Sequence, residues 1–186
     1  MHKILKMLEG GDRRSIGRSN EAAALALERP NLFDVLVAGM SMEDPLLRMR
    51  CADAVEKITT SRPEYLRRHK RRLIGDLSRI EQKEVRWHVA AMLARLRLTP
   101  KEQQRVIGIL LAYTNDHSSI VKTLAMQSLA DLALRDAALR PLVRLHIEEL
   151  TAIGTPAMRA RGKKLLSELS RAEGKREGSQ GRVTRP

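Results

Sequence analysis

A chain of 186 residues is the size of one domain. Its 42% hydrophobic and 31% charged residues are those of a folded, water-facing protein, and no run approaches the ~20 apolar residues of a membrane span. Aromatic residues make up only 2% and the net charge is +13, so the core must be aliphatic and nucleic acid belongs among the partners to consider. The lone Cys51 excludes an internal disulfide framework and cannot build a zinc site by itself.

The hydrophobic pattern predicts helices throughout. Ile4–Leu8 reads as a short capping helix, without the apolar run or cleavage site of a secretory signal; a cytoplasmic location follows as the expectation. Asn31–Met40 follows, with Leu32, Val35, Leu36 and Met40 apolar. Asp44-Pro45 reads as an N-cap with Pro at the first helical position. Pro63–Ile80 carries a stripe of Leu66, Leu73, Leu77 and Ile80. Pro100–Tyr113 is rich in Val and Ile, and Leu142–Ile153 is the next helix. Ser61-Arg-Pro-Glu64 and Thr99-Pro-Lys-Glu102 both match the capping box. Thr155-Pro156 repeats the N-cap signal, and Gly154 sits where a left-handed helix stop is expected. No segment alternates with period two long enough to predict a strand. From Arg171 the chain has no apolar stripe, and 171–186 reads as a disordered basic tail.

Between these helices one pattern recurs. Leu47-Arg48, Val85-Arg86, Val121-Lys122 and Met158-Arg159 each join an apolar residue to a cation, at intervals of 38, 36 and 37 residues. With the cation as zero, offset +3 holds Cys51, Val89, Ala125 and Gly162. Offset +7 holds Val55, Leu93, Leu129 and Leu166, and offset +10 holds Ile58, Leu96, Leu132 and Leu169. Offsets −1, +3, +7 and +10 share one face of a helix, the second of each unit. A degenerate earlier copy has Arg18 as its cation. A fixed period of this size predicts a solenoid of helix pairs.

The segments Asn115-Asp-His-Ser-Ser-Ile-Val-Lys-Thr-Leu-Ala-Met-Gln-Ser-Leu-Ala-Asp-Leu132 and Asp44–Ile58 resemble the HEAT repeat family. The resemblance implies an all-α, right-handed α-solenoid of about five helix pairs over 1–170. The spacing is shorter than the ~40–47 residues usual for such repeats, and the family's acid six residues before the cation is present only as Asp116. The tetratricopeptide alternative has a ~34-residue period and requires aromatic residues that this chain lacks.

By the same resemblance the second helices line a concave face, and the cations tie one repeat to the next. The residues one, two and five positions later are then offered to a partner. They include Met49, Arg50, Trp87, His88, Ala91, Thr123 and Leu124, with the single tryptophan as the natural anchor. Asn20, Asp53 and Gln127 share those rows. A second candidate is the run Arg67-Arg-His-Lys-Arg-Arg72, whose Arg67, Arg68, Lys70, Arg71 and Arg72 suit phosphate groups. It lies in a stretch, 57–97, with twelve basic and four acidic residues.

No Gly-rich phosphate loop, nucleophile motif or His-Glu iron pair is present, so no cofactor, metal or small-molecule substrate is expected. DNA glycosylases and bilin lyases also use HEAT-like arrays, but one tryptophan makes a poor lesion pocket. The expected function is a non-enzymatic scaffold or adaptor whose concave face binds a protein or peptide. The alternative is a nucleic-acid-binding module using residues 67–72.

Overall fold

The computed structural model of the chain describes residues 1–12 and 14–180, with side chains as far as 174. Among these the chain is all-helical and no strand occurs. The α-helices in chain order are α1 (Lys3–Lys6), α2 (Ser19–Glu28), α3 (Asn31–Gly39), α4 (Pro45–Ser61), α5 (Lys70–Ile74), α6 (Lys83–Ala94), α7 (Pro100–Tyr113), α8 (Ser119–Arg135), α9 (Arg140–Ile153) and α10 (Pro156–Gln180). Short 3-10 helices occupy Pro63–His69, Leu77–Arg79 and Ala137–Leu139. None of these helices is long and apolar enough to cross a membrane.

Contacts cluster the chain into two compact units, Met1–Ile109 and Leu110–Pro186, where the sequence leads to the expectation of one domain over 1–170. In the first unit α4 packs against α2, α3 and α6. In the second, α10 packs against α8 and α9, and α8 against α9. The core is the aliphatic stripe expected. Leu47, Cys51, Val55 and Ile58 of α4 are buried, as are Val85, Val89 and Leu93 of α6 and Val121, Ala125 and Leu129 of α8. Truncating a leucine such as Leu93 there would cost about 2–5 kcal/mol through lost transfer energy and the cavity left behind. In α10 the stripe is displaced. Leu165 is buried and Leu166 only half-buried, and a Cβ on the buried Gly162 would collide with Thr151 of α9.

Capping explains most helix starts. Asp44 Oδ1 accepts from Leu46 N–H at 2.9 Å, and Thr155 Oγ1 from Met158 N–H at 3.4 Å. Thr99 and Glu102 form the full reciprocal box, with Thr99 N–H donating to Glu102 Oε2 at 2.8 Å and Glu102 N–H to Thr99 Oγ1 at 3.4 Å.

Four sequence expectations are corrected. The box at Ser61–Glu64 does not form, because Ser61 is still inside α4 and donates to Ile58 O, while Glu64 takes Arg62 instead. Gly154 is extended (φ −76°, ψ 174°) rather than left-handed; glycine is required because a Cβ would strike the Leu150 carbonyl oxygen. Pro63–Ile80 is not one helix but a 3-10 helix, a short α-helix and a second 3-10 turn. Six consecutive basic or imidazole residues would stack like charges at i, i+3 and i, i+4 in a continuous α-helix, and Gly75 breaks the run at φ −101°, ψ −104°. Finally, α10 continues past Arg171 to Gln180. Arg140 donates to Ala172 O at 3.3 Å and Arg144 pairs with Glu173 at 2.5 Å, so the beginning of the expected tail is docked on α9. Residues 181–186 of that tail lie outside the described residues.

Candidate functional site

Three of the four repeat cations, all but Lys122, are seen to hold turns. Arg48 donates to Met42 O at 3.2 Å, Arg86 to Ile80 O at 3.0 Å and Arg159 to Gly154 O at 2.8 Å. Each therefore clips the turn leading into its own helix. Arg48 also reaches the next repeat, donating to Gln82 Oε1 at 2.9 Å while Gln82 Nε2 donates to Pro45 O at 2.8 Å. In the second unit the starts of α8 and α10 are tied by the Ser119 and Thr155 hydroxyls, 2.8 Å apart.

Two expected partner-binding residues lie inside. Met49 is 8% exposed and Arg50 3%. Arg50 is a clamp, donating to Leu8 O at 2.7 Å, Gly10 O at 2.5 Å, Asp12 O at 3.2 Å and Ser15 O at 3.3 Å. The loop closes over it through left-handed Gly10, Gly11 and Gly17, and a Cβ on Gly17 would come within 2.7 Å of the guanidinium carbon. All its bonds go to backbone carbonyls, so no charged or polar side chain elsewhere in the sequence marks the burial.

The rest of the row in the first unit is a polar bridge between second helices. Lys57 Nζ on α4 donates to Asp53 Oδ2 and to Asn20 Oδ1 of α2, both at 2.6 Å. His88 Nε2 of α6 lies 3.8 Å from Asp53 Oδ1, with side chains 13% and 10% exposed. Burial lowers the His88 pKa below its ordinary value, with the Asp53 carboxylate pulling the other way. One turn on, Arg95 pairs with the Glu56 carboxylate and donates to Glu56 O at 2.9 Å and Thr59 Oγ1 at 3.0 Å. Glu56, Lys57 and Arg95 were not singled out in the sequence. The available signal was register: Lys57 and Arg95 each stand nine residues after a repeat cation.

Trp87 stands beside this bridge. It is half-buried, with its ring edge-on to His88 at 5.7 Å, and Ala91 is half-buried one turn further on. Among the described residues the indole N–H finds no acceptor and no fully buried side-chain N or O lacks a partner, so the N–H faces solvent. In the second unit Thr123 and Leu124 are half-buried, and the Thr123 hydroxyl is spent on Ser119 O at 2.7 Å.

The basic run is divided. Arg68 pairs with Asp34 at 3.1 Å and His69 with its other oxygen at 2.8 Å. Lys70 pairs with Glu102 at 2.6 Å, and Arg72 donates to Ser41 Oγ at 3.0 Å. Arg67 and Arg71 are exposed, without a polar partner among the described residues.

Chemistry of other kinds is thinly supplied. Burial pushes the Cys51 thiol up to about 12, which keeps it protonated. Among the described residues no three His, Cys, Asp or Glu side chains come together as a metal site. No protein-family model, curated protein or solved structure matches the chain.

Proposed function

We propose that the chain is a non-enzymatic, HEAT-like scaffold or adaptor that binds a protein segment over its second helices. The observation that carries this reading is Trp87: a partly exposed indole whose N–H has no acceptor among the described residues, beside half-buried Ala91 and a polar bridge whose members pair with one another. A ring of that kind contributes apolar area and one directional bond at little entropic cost, which is what interface anchors do.

Adjacency of the second helices supports the solenoid reading: α4 neighbours α2 and α6 in the first unit, and α8 neighbours α10 in the second. Repeats that touch only their neighbours also divide readily into contact clusters. Met49 and Arg50 drop out of the proposed surface. Trp87, Ala91 and the edge of His88 remain, with Thr123 and Leu124 on the second unit as a surface of its own. The Asp53–His88–Lys57 group is satisfied internally, which favours a structural over a catalytic role.

The test is a pulldown from native lysate, treated with nuclease, comparing the wild type with Trp87→Ala. Loss of specific protein partners in a variant that keeps its melting temperature supports the reading; an unchanged partner set refutes it. For the nucleic-acid alternative, Arg67 and Arg71 are the cations of the run that have no polar partner among the described residues. Phosphate contacts from these two would give a log–log salt slope of only about −1 to −2.

A further inference from the structure

A cavity of ≈ 580 Å³ in the first unit lies between the 3-10 helix Pro63–His69 and the segment that follows α6. Its lining includes four cations, Arg67, Lys70, Arg95 and Arg97, with Glu64 as the only acid. Leu66 and Leu96 supply an apolar floor. The cations come from two stretches far apart in the sequence: two from the basic run and two from the segment that follows α6.

The four are not equivalent. Lys70 is held in place by Glu102 at 2.6 Å and by Arg97 O at 3.2 Å. Arg95 is held by the Glu56 carboxylate and by Thr59 Oγ1 at 3.0 Å. Glu64 is taken by Arg62 at 2.8 Å. With those partners included, the cations outnumber the acids by two. The excess resides on Arg67 and Arg97, which are exposed and have no polar side-chain partner among the described residues. Two guanidinium groups left unpaired on one concavity, beside two cations already fixed in position, match an anion carrying more than one negative charge. The lining contains no aromatic ring, so nothing there would stack a base.

We propose that this pocket is a binding site for a phosphoryl group of at least two negative charges, gripped by Arg67 and Arg97 and oriented by Lys70 and Arg95. The site is independent of the Trp87 surface and stands or falls separately. The recognised chemistry is the phosphoryl group itself, whether on a free small anion or at the end of a nucleic-acid strand.

The experiment is a titration of the full chain with pyrophosphate at about 0.15 M ionic strength, where diffuse surface charge is screened, followed by backbone amide NMR. Saturable shifts confined to residues 63–70 and 95–97 are expected. Arg67→Glu and Arg97→Glu should each weaken binding by about tenfold or more, as expected for the loss of a charge-assisted bond. Both side chains are exposed, so folding is not at risk, and circular dichroism checks it. Arg29→Glu, the same charge change at the exposed end of α2, should bind as the wild type does. Absence of saturation, or equal weakening by Arg29→Glu, overturns the site. Competition by a short oligonucleotide only when it bears a terminal phosphate assigns the source to a strand end. Pyrophosphate binding without competition from either oligonucleotide assigns it to a small anion.

Discussion

Among the described residues each unit buries one guanidinium that has no carboxylate partner, and the two are held in opposite ways. Arg50 gathers the carbonyls of Leu8, Gly10, Asp12 and Ser15, which lie between α1 and α2. Arg140, 8% exposed, donates to Ala133 O at 3.1 Å and Leu134 O at 3.4 Å, in the last turn of α8, and to Ala172 O of α10. In the second unit the cation meets a helix C-terminus, where the macrodipole is negative and unpaired carbonyls are already waiting. In the first it must order a loop that has no regular structure to lean on. The same residue type thus joins finished elements in one unit and creates an ordered element in the other.

The comparison can be broken at several points. Arg50→Met should have the largest effect, about 3–5 kcal/mol, because it strands several carbonyls and frees the loop. Limited proteolysis should then cut within residues 9–17. Arg140→Met should cost less, about 2–3 kcal/mol, with no new cleavage site, since α8 and α10 persist without it. Chemical denaturation that ranks the two in the reverse order would refute the distinction. Gly17→Ala should cost about 2 kcal/mol, because its φ of +54° suits glycine and the new methyl would press on Arg50. In an Arg50→Met background that penalty should shrink, which a double-mutant cycle would read.

The polar bridges sharpen the contrast further. In the second unit Arg161 donates to Gln127 Oε1 at 2.6 Å, and Gln127 Nε2 to Asp131 at 2.8 Å. Gln127 and Arg161 occupy the offsets +5 and +2 that Asp53 and His88 occupy in the first unit. Of the two bridges, the first contains a histidine and the second does not. Because the folded pKa of His88 is depressed, the unfolded chain binds the proton more readily. Stability should therefore be full above the unfolded value near 6.5 and fall as the pH drops below it. His88→Gln should flatten that slope in urea melts, and Gln127→Leu should leave it in place. The smallest effect on stability is expected for Trp87→Ala, about 1–2 kcal/mol, since the side chain is partly exposed and its truncation opens no enclosed cavity.

Register was legible in the sequence. The offsets of the apolar stripe located the buried faces of α4, α6 and α8 because helical period and burial follow from the same geometry. Asp44, Thr99 and Thr155 announced their helix starts because a cap is a local, two-residue interaction. Arg50 was not legible. Its partners are carbonyl oxygens, which every residue carries. The break in 63–80 was hidden by a good leucine stripe laid over a charge run that a continuous helix would not tolerate. The 67–72 run and the end of α6 are adjacent only in space, so the pocket between them had no sequence signature.

Cys51 has a practical corollary. The chain's only thiol lies buried beneath Gly39, with its pKa raised to about 12, and offers no thiolate to a maleimide or an oxidant under native conditions. For labelling purposes the folded molecule is a cysteine-free background with one indole. A single cysteine introduced at Arg97 or Thr123 would take the sole dye, and Trp87 would already be in place as the donor.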